Sequence, residues 1–178
     1  MFKWHYQTPA DFDNIIMSSD GEFLTGLWFS GSNDEKKHVS DYQEKNLQIF
    51  KETCYWLDIY FTGKEPDFIP DHKIANITPF RKEVQNIMLR IPFGKTISYG
   101  KIAKIIARNH HIPKMSAQAV GGAVGWNPIC LIIPCHRVVG SDNNLTGYGG
   151  GIKNKIALFG LEGIDLTNYK VPTSSTKL

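Results

Sequence analysis

The chain has 178 residues, of which 42% are hydrophobic, and a net charge of +3, enough for one large hydrophobic core or two small ones. No apolar run is long enough to span a bilayer, and MFKWHYQTPADF lacks the apolar stretch of a signal peptide, so we expect no membrane association. Three cysteines are too few for a disulfide framework, which favours the reducing cytoplasm.

Charge is divided unevenly along the chain. Residues 1–77 contain 7 Lys or Arg and 13 Asp or Glu, a balance of −6, whereas residues 78–163 contain 11 and 3, a balance of +8. Three acids in 86 residues argue against a chance distribution of solvated charge. The sequence therefore predicts an acidic domain over 1–77 and a basic domain over 78–178 that faces a polyanion.

The acidic half is predicted to be a small α/β unit. FKWHYQTP, FDNIIMSS and EFLTGLWFS have the pattern of strands, with Asp20-Gly21 as a two-residue hairpin turn. Ser40 and Gln43 suggest a capping box for a helix that ends near Gly63. Its apolar face is Leu47, Phe50, Cys54, Leu57 and Phe61, which makes Cys54 a core residue. GKEPDFIPDHKIANI is the expected linker.

The basic half begins with two helices and a turn. Thr78 and Pro79 open the first helix, whose apolar side is Phe80, Val84, Ile87 and Met88. Ser98 caps the second helix, YGKIAKIIA, which places Ile102, Ile105 and Ile106 inward. RNHHIPK is the turn before a third helix, SAQAVGGAVG. Two helices joined by a turn in a basic region indicate a helix-turn-helix.

The third helix contains Gly121 and Gly122, although glycine costs about 1 kcal/mol relative to alanine in a helix interior. One explanation is close packing against another helix. The other is that the bare surface approaches DNA. Because a helix is roughly 10–12 Å across and the minor groove about 6 Å wide, only a helix with small side chains can press into that groove, and only by widening it.

IIPCHRVVG places a thiol beside an imidazole and a guanidinium. Ile129–Ile133 is expected to be a short buried strand or extended segment that leads to Cys135. A buried thiol is inert, but His136 offers a way to form thiolate. The residues favour a nucleophile only slightly over a core cysteine, and Arg137 is either functional or a structural ion-pair donor. Metal-ligand spacings such as CxxC and HxxH are absent, so we expect no metal.

Two further segments follow this motif. TGYGGG is a glycine loop able to bring backbone N–H groups against a ligand. KNKIALFGLEG is predicted to be the final helix, with Ile152, Ile156 and Phe159 on its buried side and Glu162 at its end.

PCHRVVG, preceded by the NP of WNPI and followed by TGYGGG, resembles the active-site signature of the O6-alkylguanine-DNA alkyltransferases. These suicide repair proteins move an alkyl group from guanine in DNA onto their own cysteine. The resemblance extends over residues 78–163 and is loose before them. It implies an α/β protein, with a small ribonuclease-H-like N-terminal domain and a mostly helical, winged helix-turn-helix-type C-terminal domain. It also implies a monomer without a cofactor, whose partner is double-stranded DNA bearing alkylated guanine, bound through the minor groove with the base flipped out.

The resemblance also implies residue roles. Cys135 is the alkyl acceptor, His136 its base through a water, and Glu162 the group that orients the imidazole. Tyr99 hydrogen-bonds the guanine, and Asn127 ties the recognition helix to the active-site segment. The walls of the base pocket are Val138, Tyr148 and Gly149. The DNA-binding residues are Ala117, Gln118, Ala119, Gly121, Gly122 and Arg137.

This chain departs from the family pattern at two places. Gln118 stands where many relatives have an arginine that fills the gap left by the flipped base, and the cysteines that bind zinc in some relatives are missing. Two other classes of protein compete with the alkyltransferase hypothesis. A damage-binding module without turnover lacks the acceptor that Cys135 provides, and a thiol hydrolase is disfavoured by the basic half and the glycine-rich helix.

Overall fold

A computed structural model describes residues 1–38, 42–145 and 147–171 of the chain. The strands of its larger sheet are β1 (Phe2–Tyr6), β2 (Ile15–Ser19), β3 (Leu24–Phe29) and β4 (Gln43–Glu44). They lie in the order β3-β2-β1-β4, with the first three antiparallel and β4 parallel to β1. Ile15 and Met17 of β2 turn fully buried side chains into the core. The three predicted strands and the mixed α/β class are confirmed.

The turn between β2 and β3 has four residues rather than two. Ser19 pairs with Leu24, so residues 20–23 form the loop between the two strands. The Asp20 carboxylate accepts hydrogen bonds from two backbone N–H groups that follow it, and Gly21 has a φ of +118°. The prediction of a two-residue Asp20-Gly21 turn is wrong because the Asp20 side chain closes a wider loop.

Two helices complete the acidic half. The first, α1 (Asn33–His38), has no counterpart among the predicted elements, and the second is α2 (Gln48–Tyr60). The predicted capping box is wrong, because Gln43 belongs to β4 and α2 begins after Leu47 without a side-chain cap; Ser40 lies outside the described residues. The buried residues of α2 are Ile49, Phe50, Thr53, Trp56, Leu57 and Tyr60. Cys54 is half-buried and packs against this core, as the apolar spacing predicted.

The connection after α2 is fastened to the sheet. Leu24 donates its backbone N–H to the Asp71 carbonyl at 3.0 Å and accepts from Lys73 at 2.9 Å, so the linker covers part of the edge strand β3. The Trp56 indole donates to the Phe68 carbonyl at 2.9 Å. One hydrophobic cluster joins buried residues from both sides of residue 77, and the domain boundary there stays a prediction.

The basic half is mostly helical. Its helices are α3 (Pro79–Met88), α4 (Tyr99–Asn109), α5 (Ala117–Val124) and α6 (Ile152–Leu161). A short parallel pair, β5 (Ile97–Ser98) and β6 (Val138–Val139), links the start of α4 to the segment after Cys135. Thr78, Ser98 and Ser116 each accept a hydrogen bond from a backbone N–H of the helix they cap. Pro79 is the first residue of α3, so the predicted starts of α3 and α4 are confirmed.

Helices α3, α4 and α5 pack against one another, as expected of a helix-turn-helix unit. In α4, Ile102 and Ile106 are fully buried, whereas Ile105 is only half-buried because Ala103 and Ala107 share the inner face. In α6, Phe159 is buried as predicted, and the two predicted isoleucines are partly buried around it. Within the described residues, none of the helices has the length and apolar character needed to cross a membrane.

Candidate active site and DNA-facing helix

The segment before Cys135 is buried but is not a strand. Ile129 makes a single bridge to Leu27 of β3, and the following residues form turns. The Asn127 side chain holds this shape, because its Nδ2 donates to the Ile133 carbonyl at 2.8 Å and its Oδ1 accepts from the Ile129 N–H at 3.1 Å. The predicted extended segment is therefore replaced by a turn closed by Asn127. Cys135–Arg137 then form one turn of 3-10 helix.

Cys135 is a free thiol that is 6% exposed. A hydrogen bond from the Cys130 thiol lowers the pKa of Cys135, whereas burial raises it. The Asn127 side chain and the Lys155 charge lower this pKa further, and the Asp34 carboxylate opposes them. The net shift is downward, so the environment favours the thiolate, which is the nucleophilic form of cysteine.

The His136 imidazole is fully buried and contacts the Glu162 carboxylate. Its Nε2 lies 2.7 Å from Glu162 Oε1, which fixes the tautomer with hydrogen on Nε2 and a lone pair on Nδ1. Nδ1 is buried and has no hydrogen-bond partner among the described residues. Burial lowers the pKa of His136 more than Glu162 raises it, so the imidazole is neutral near pH 7 and able to accept a proton.

Glu162 caps the C-terminal end of α6 and is hydrogen-bonded by four other residues. Besides His136, its carboxylate accepts from Arg137 Nε at 2.9 Å, the Gly94 N–H at 3.0 Å and the Tyr60 hydroxyl at 2.6 Å. Burial alone would raise the pKa of Glu162, but His136 and Arg137 together outweigh it and lower the pKa to about 2. Glu162 therefore stays ionised inside the protein.

Arg137 points into the protein rather than onto its surface. It is 6% exposed, donates to Glu162 through Nε and Nη2, and donates to the Ile91 carbonyl through Nη1 at 2.7 Å. Its guanidinium lies over the Phe93 ring, 5.4 Å from the centroid. The assignment of Arg137 as a DNA contact is wrong, because the ionised Glu162 carboxylate holds the side chain inside the protein. Arg137 is instead a structural ion-pair donor, the alternative that the sequence left open.

The predicted pocket residues Tyr148, Tyr99 and Gly149 contact His136, Gly147 and Asp34, respectively. Tyr148 sets its ring edge-on to His136, with 6.5 Å between centroids, and its hydroxyl is buried without a partner among the residues described. The Tyr99 hydroxyl donates to the Gly147 carbonyl at 3.3 Å, and burial, then the Cys135 charge, raises the pKa of Tyr99 to about 12. Gly149 lies so close to Asp34 that a Cβ would overlap the carboxylate.

Three residues near Cys135 were missed by sequence reasoning. Lys155 is fully buried, donates to the Val138 carbonyl at 2.7 Å, and has its pKa lowered to about 8 by burial. The sequence could have shown that Lys155 faces inward, since its spacing from Phe159 and Glu162 places all three residues on one face of the helix. Tyr60 and Asp34 had no such signal, because their partners are remote in sequence.

Apart from Gln118, the outer face of α5 consists of alanine and glycine. Ala117, Gln118, Ala119 and Gly122 are exposed, Gly121 is half-buried, and Val120, Ala123 and Val124 face the core. A Cβ on Gly122 would meet no atom, and one on Gly121 would make only an ordinary contact with Tyr99 at 3.9 Å. Close packing within the protein therefore does not explain these glycines, which leaves the open surface free for an external ligand.

Exposed basic side chains lie on the helix and the turn that precede α5. Of the eleven Lys and Arg of residues 78–163, only Arg137 and Lys155 are buried. Exposed cations on α4 and the following turn are Lys101, Lys104, Arg108 and Lys114. The surface beside α5 is therefore positive, as the charge division along the sequence predicted.

Known proteins share both the sequence and the fold. Residues 79–164 match the family described as 6-O-methylguanine DNA methyltransferase, DNA binding domain. Relatives named methylated-DNA–protein-cysteine methyltransferase include one from Methanosarcina acetivorans, 41% identical over 84% of this chain and 91% of the relative. Another, from Mycobacterium tuberculosis, is 45% identical over 89% of this chain and 92% of the relative.

A crystal structure of Mycobacterium tuberculosis OGT in complex with DNA resembles this fold with a TM-score of 0.76 and 31% identity, over 95% of each chain. The similarity thus includes the N-terminal half, which the family model does not cover. Because Cys135 is followed directly by an imidazole that Glu162 holds, and because these relatives are matched over most of their length, the chain belongs to the methylated-DNA–protein-cysteine methyltransferase family.

Proposed function

We propose that this protein repairs DNA by moving the alkyl group of O6-alkylguanine irreversibly onto Cys135. The observation that carries the proposal is the buried Cys135 thiol, with a lowered pKa, next to a neutral His136 that Glu162 holds in one tautomer. A carboxylate and imidazole arranged in this way activate a cysteine nucleophile. O4-alkylthymine is a second possible substrate class that the same attack would serve.

The transfer is a single displacement. His136 Nδ1, the nitrogen left free by the Glu162 contact, takes the thiol proton directly or through a water. The Cys135 thiolate attacks the alkyl carbon, so that an S–C bond forms and the bond from carbon to O6 breaks. Guanine leaves with both bonding electrons and takes up a proton. Tyr99 remains a hydroxyl donor at neutral pH, since its pKa is about 12, and stabilises the leaving base.

DNA is bound through the face formed by Ala117, Gln118, Ala119, Gly121 and Gly122. Its lack of large side chains suits entry into the minor groove, and the surrounding cations neutralise phosphates. Gly121 approaches Tyr99 at the start of α4, which connects this face to the reaction site. Because Cys135 is buried, the alkylated base must leave the stack to reach it, and it then lies between Val138, Tyr148 and Gly149.

Each molecule reacts once, because the alkyl group of the product thioether could leave only by expelling the Cys135 thiolate, which is a poor leaving group. All the residues assigned to the transfer lie in one chain, which supports action as a monomer. The free thiols of the described cysteines fit the reducing cytoplasm as the place of action.

The test is incubation with duplex DNA containing O6-methylguanine, followed by intact-mass measurement of the protein. We expect a stable gain of one methyl group per molecule. Binding without a mass gain would instead indicate a damage-binding module. The absence of both binding and mass gain would contradict the proposal.

A further inference from the structure

The N-terminal half reaches the reaction site through one side chain. Tyr60, in the last turn of α2, is 1% exposed, and its hydroxyl donates to Glu162 Oε1 at 2.6 Å. The same hydroxyl lies 3.3 Å from His136 Nε2, which contacts the same carboxylate oxygen. Tyr60 lies outside residues 79–164, so the matched DNA-binding domain does not contain it.

The position of the hydroxyl is fixed by aromatic packing. The Tyr60 ring stacks on Trp56 with centroids 5.1 Å apart, and it meets Phe61 and Phe93 edge-on at 5.6 and 6.0 Å. Phe93 also carries the Arg137 guanidinium on its face. The ring therefore has no room to turn the hydroxyl away from Glu162 without disturbing the core.

We propose that Tyr60 is a positioning residue for alkyl transfer, which sets the basicity of His136 by donating a hydrogen bond to Glu162. This inference rests on the proposed function, in which His136 accepts the Cys135 proton. A donor on Oε1 draws negative charge away from the oxygen that faces Nε2. The carboxylate then stabilises the imidazolium less, and His136 remains neutral to lower pH.

Several charged and titratable groups face His136 and act together with Tyr60. They are Glu162 at the end of α6, Lys155 within α6, Arg137 of the same turn as His136, and Tyr148 of the glycine loop. Glu162 favours the imidazolium, whereas Arg137 and Lys155 disfavour it. Tyr60 differs from these because its neutral hydroxyl acts through the carboxylate.

The test compares single-turnover rates with free O6-benzylguanine from pH 5 to pH 8, so that DNA binding does not enter. Tyr60→Phe removes the donor, and we expect the acidic limb of its pH profile to move up by about 0.5 to 1 unit, as for the loss of a hydrogen bond beside a titrating group. The matched control is Tyr55→Phe, a tyrosine on the same helix that is 62% exposed. Its profile should coincide with that of the unmodified protein.

Site-specific replacement of Tyr60 by 3,5-difluorotyrosine keeps the shape of the ring and makes the hydroxyl a stronger donor. We expect the acidic limb of the pH–rate profile to move to lower pH, opposite to the effect of Tyr60→Phe. This variant remains informative even where the phenylalanine variant folds poorly. Unchanged limbs in the folded Tyr60 variants would overturn the inference while leaving the proposed function intact. Absence of transfer by the unmodified protein, both to the free base and from methylated DNA, would instead contradict the proposed function itself.

Discussion

At the scale of single residues, the reaction depends on which of the cysteines is nucleophilic. Cys135 has a lowered pKa, whereas those of Cys130 and Cys54 are raised. For Cys130 the first cause is its hydrogen bond to Cys135, and for Cys54 it is burial. A thiol with a raised pKa forms little thiolate near neutral pH. The two thiols other than Cys135 are therefore poor competitors for the alkyl group.

We predict that Cys135 is the sole alkyl acceptor. Peptide mapping after reaction with methylated DNA should place the label on Cys135 alone, and Cys135→Ser should abolish transfer. The matched control is Cys54→Ser, which changes a half-buried thiol of α2 and should react at the normal rate. Label on Cys130 in the Cys135→Ser variant at an undiminished rate would refute the assignment.

Glu162→Gln tests the orienting carboxylate. Without the negative charge, the His136 tautomer is no longer held, and we expect transfer to slow by about 100-fold, a typical contribution of general acid–base catalysis. DNA affinity should stay nearly unchanged, because Glu162 is buried. Glu83→Gln removes a carboxylate from the surface of the same basic half and serves as the control. A large loss of DNA binding with normal transfer to free benzylguanine would contradict the role.

The same carboxylate links stability to pH. Its folded pKa of about 2 lies below the ordinary value of 4.5, so its contribution is fully present above pH 4.5 and is lost as pH falls toward 2. Acid titration followed by circular dichroism should show a decline across this window that is smaller in Glu162→Gln. An identical decline in both proteins would mean that other carboxylates govern acid unfolding.

At the scale of elements, α5 combines a buried apolar side with an outer face of small residues. Gln118 is exposed at the position where the family resemblance implies an arginine that fills the gap left by the flipped base. Glutamine is shorter and uncharged, so it stabilises the extruded base less than an inserted arginine near phosphates. Under the proposed binding mode, α5 therefore makes one charged contact fewer with DNA.

Gln118→Arg should speed repair of methylguanine in duplex DNA, because unstacking the base costs a few kcal/mol that a larger side chain offsets better. Reaction with free benzylguanine should not change, since no base is extruded there. Gln48→Arg on the exposed side of α2 adds the same charge away from α5. If both rates change alike, residue 118 acts on the pocket or on stability rather than in the duplex.

Gly122→Leu tests whether the open surface of α5 is a DNA contact. A Cβ at this position meets no protein atom and Gly122 is exposed, so the fold should be retained or stabilised by up to about 1 kcal/mol, since glycine is a poor helix former. DNA affinity should nevertheless fall, because the side chain widens the face that enters the groove. Gly160→Leu, at an equally open position on α6, is the control for both melting temperature and DNA binding. Equal affinity in the two variants would remove α5 from the interface.

At the scale of the whole molecule, the two halves of the chain differ in charge but share one hydrophobic core. Residues 1–77 have a net charge of −6 and residues 78–163 a net charge of +8, so only the helical half has a positive surface. The hydrophobic cluster, by contrast, joins β2, α2, α3 and the segment before Cys135. The two halves therefore fold onto a common core, and only the basic half attracts a polyanion.

This division predicts salt-dependent and sequence-independent DNA binding. Affinity for undamaged duplexes should fall steeply as salt rises, because each phosphate neutralised by a Lys or Arg releases counterions. Lys104→Gln, on the exposed side of α4, should reduce the slope, whereas Lys51→Gln on α2 should not. An affinity that stays flat between low and physiological salt would show that the positive surface has another purpose.

Local chemistry made several features readable from the sequence. Thr78 and Ser98 mark helix starts because a capping side chain bonds only to its own helix. The adjacency of Cys135 and His136, and the small residues of α5, likewise depend on neighbours along the chain. The predicted capping box at Ser40 and Gln43 failed because Gln43 pairs with β1, a contact that local spacing does not encode.

Only the tertiary structure decided which distant groups meet. Arg137 turns inward because Glu162, 25 residues away, holds it, and Tyr60 meets the same carboxylate across 102 residues. The sequence by itself predicted Cys135 as the nucleophile and His136 as its base, through the family resemblance of a short motif, and it predicted the helical, basic half through periodicity and charge. The orientation of the base and the pKa values of the site were left to the fold, because burial and long-range hydrogen bonds exist only once both halves have packed together.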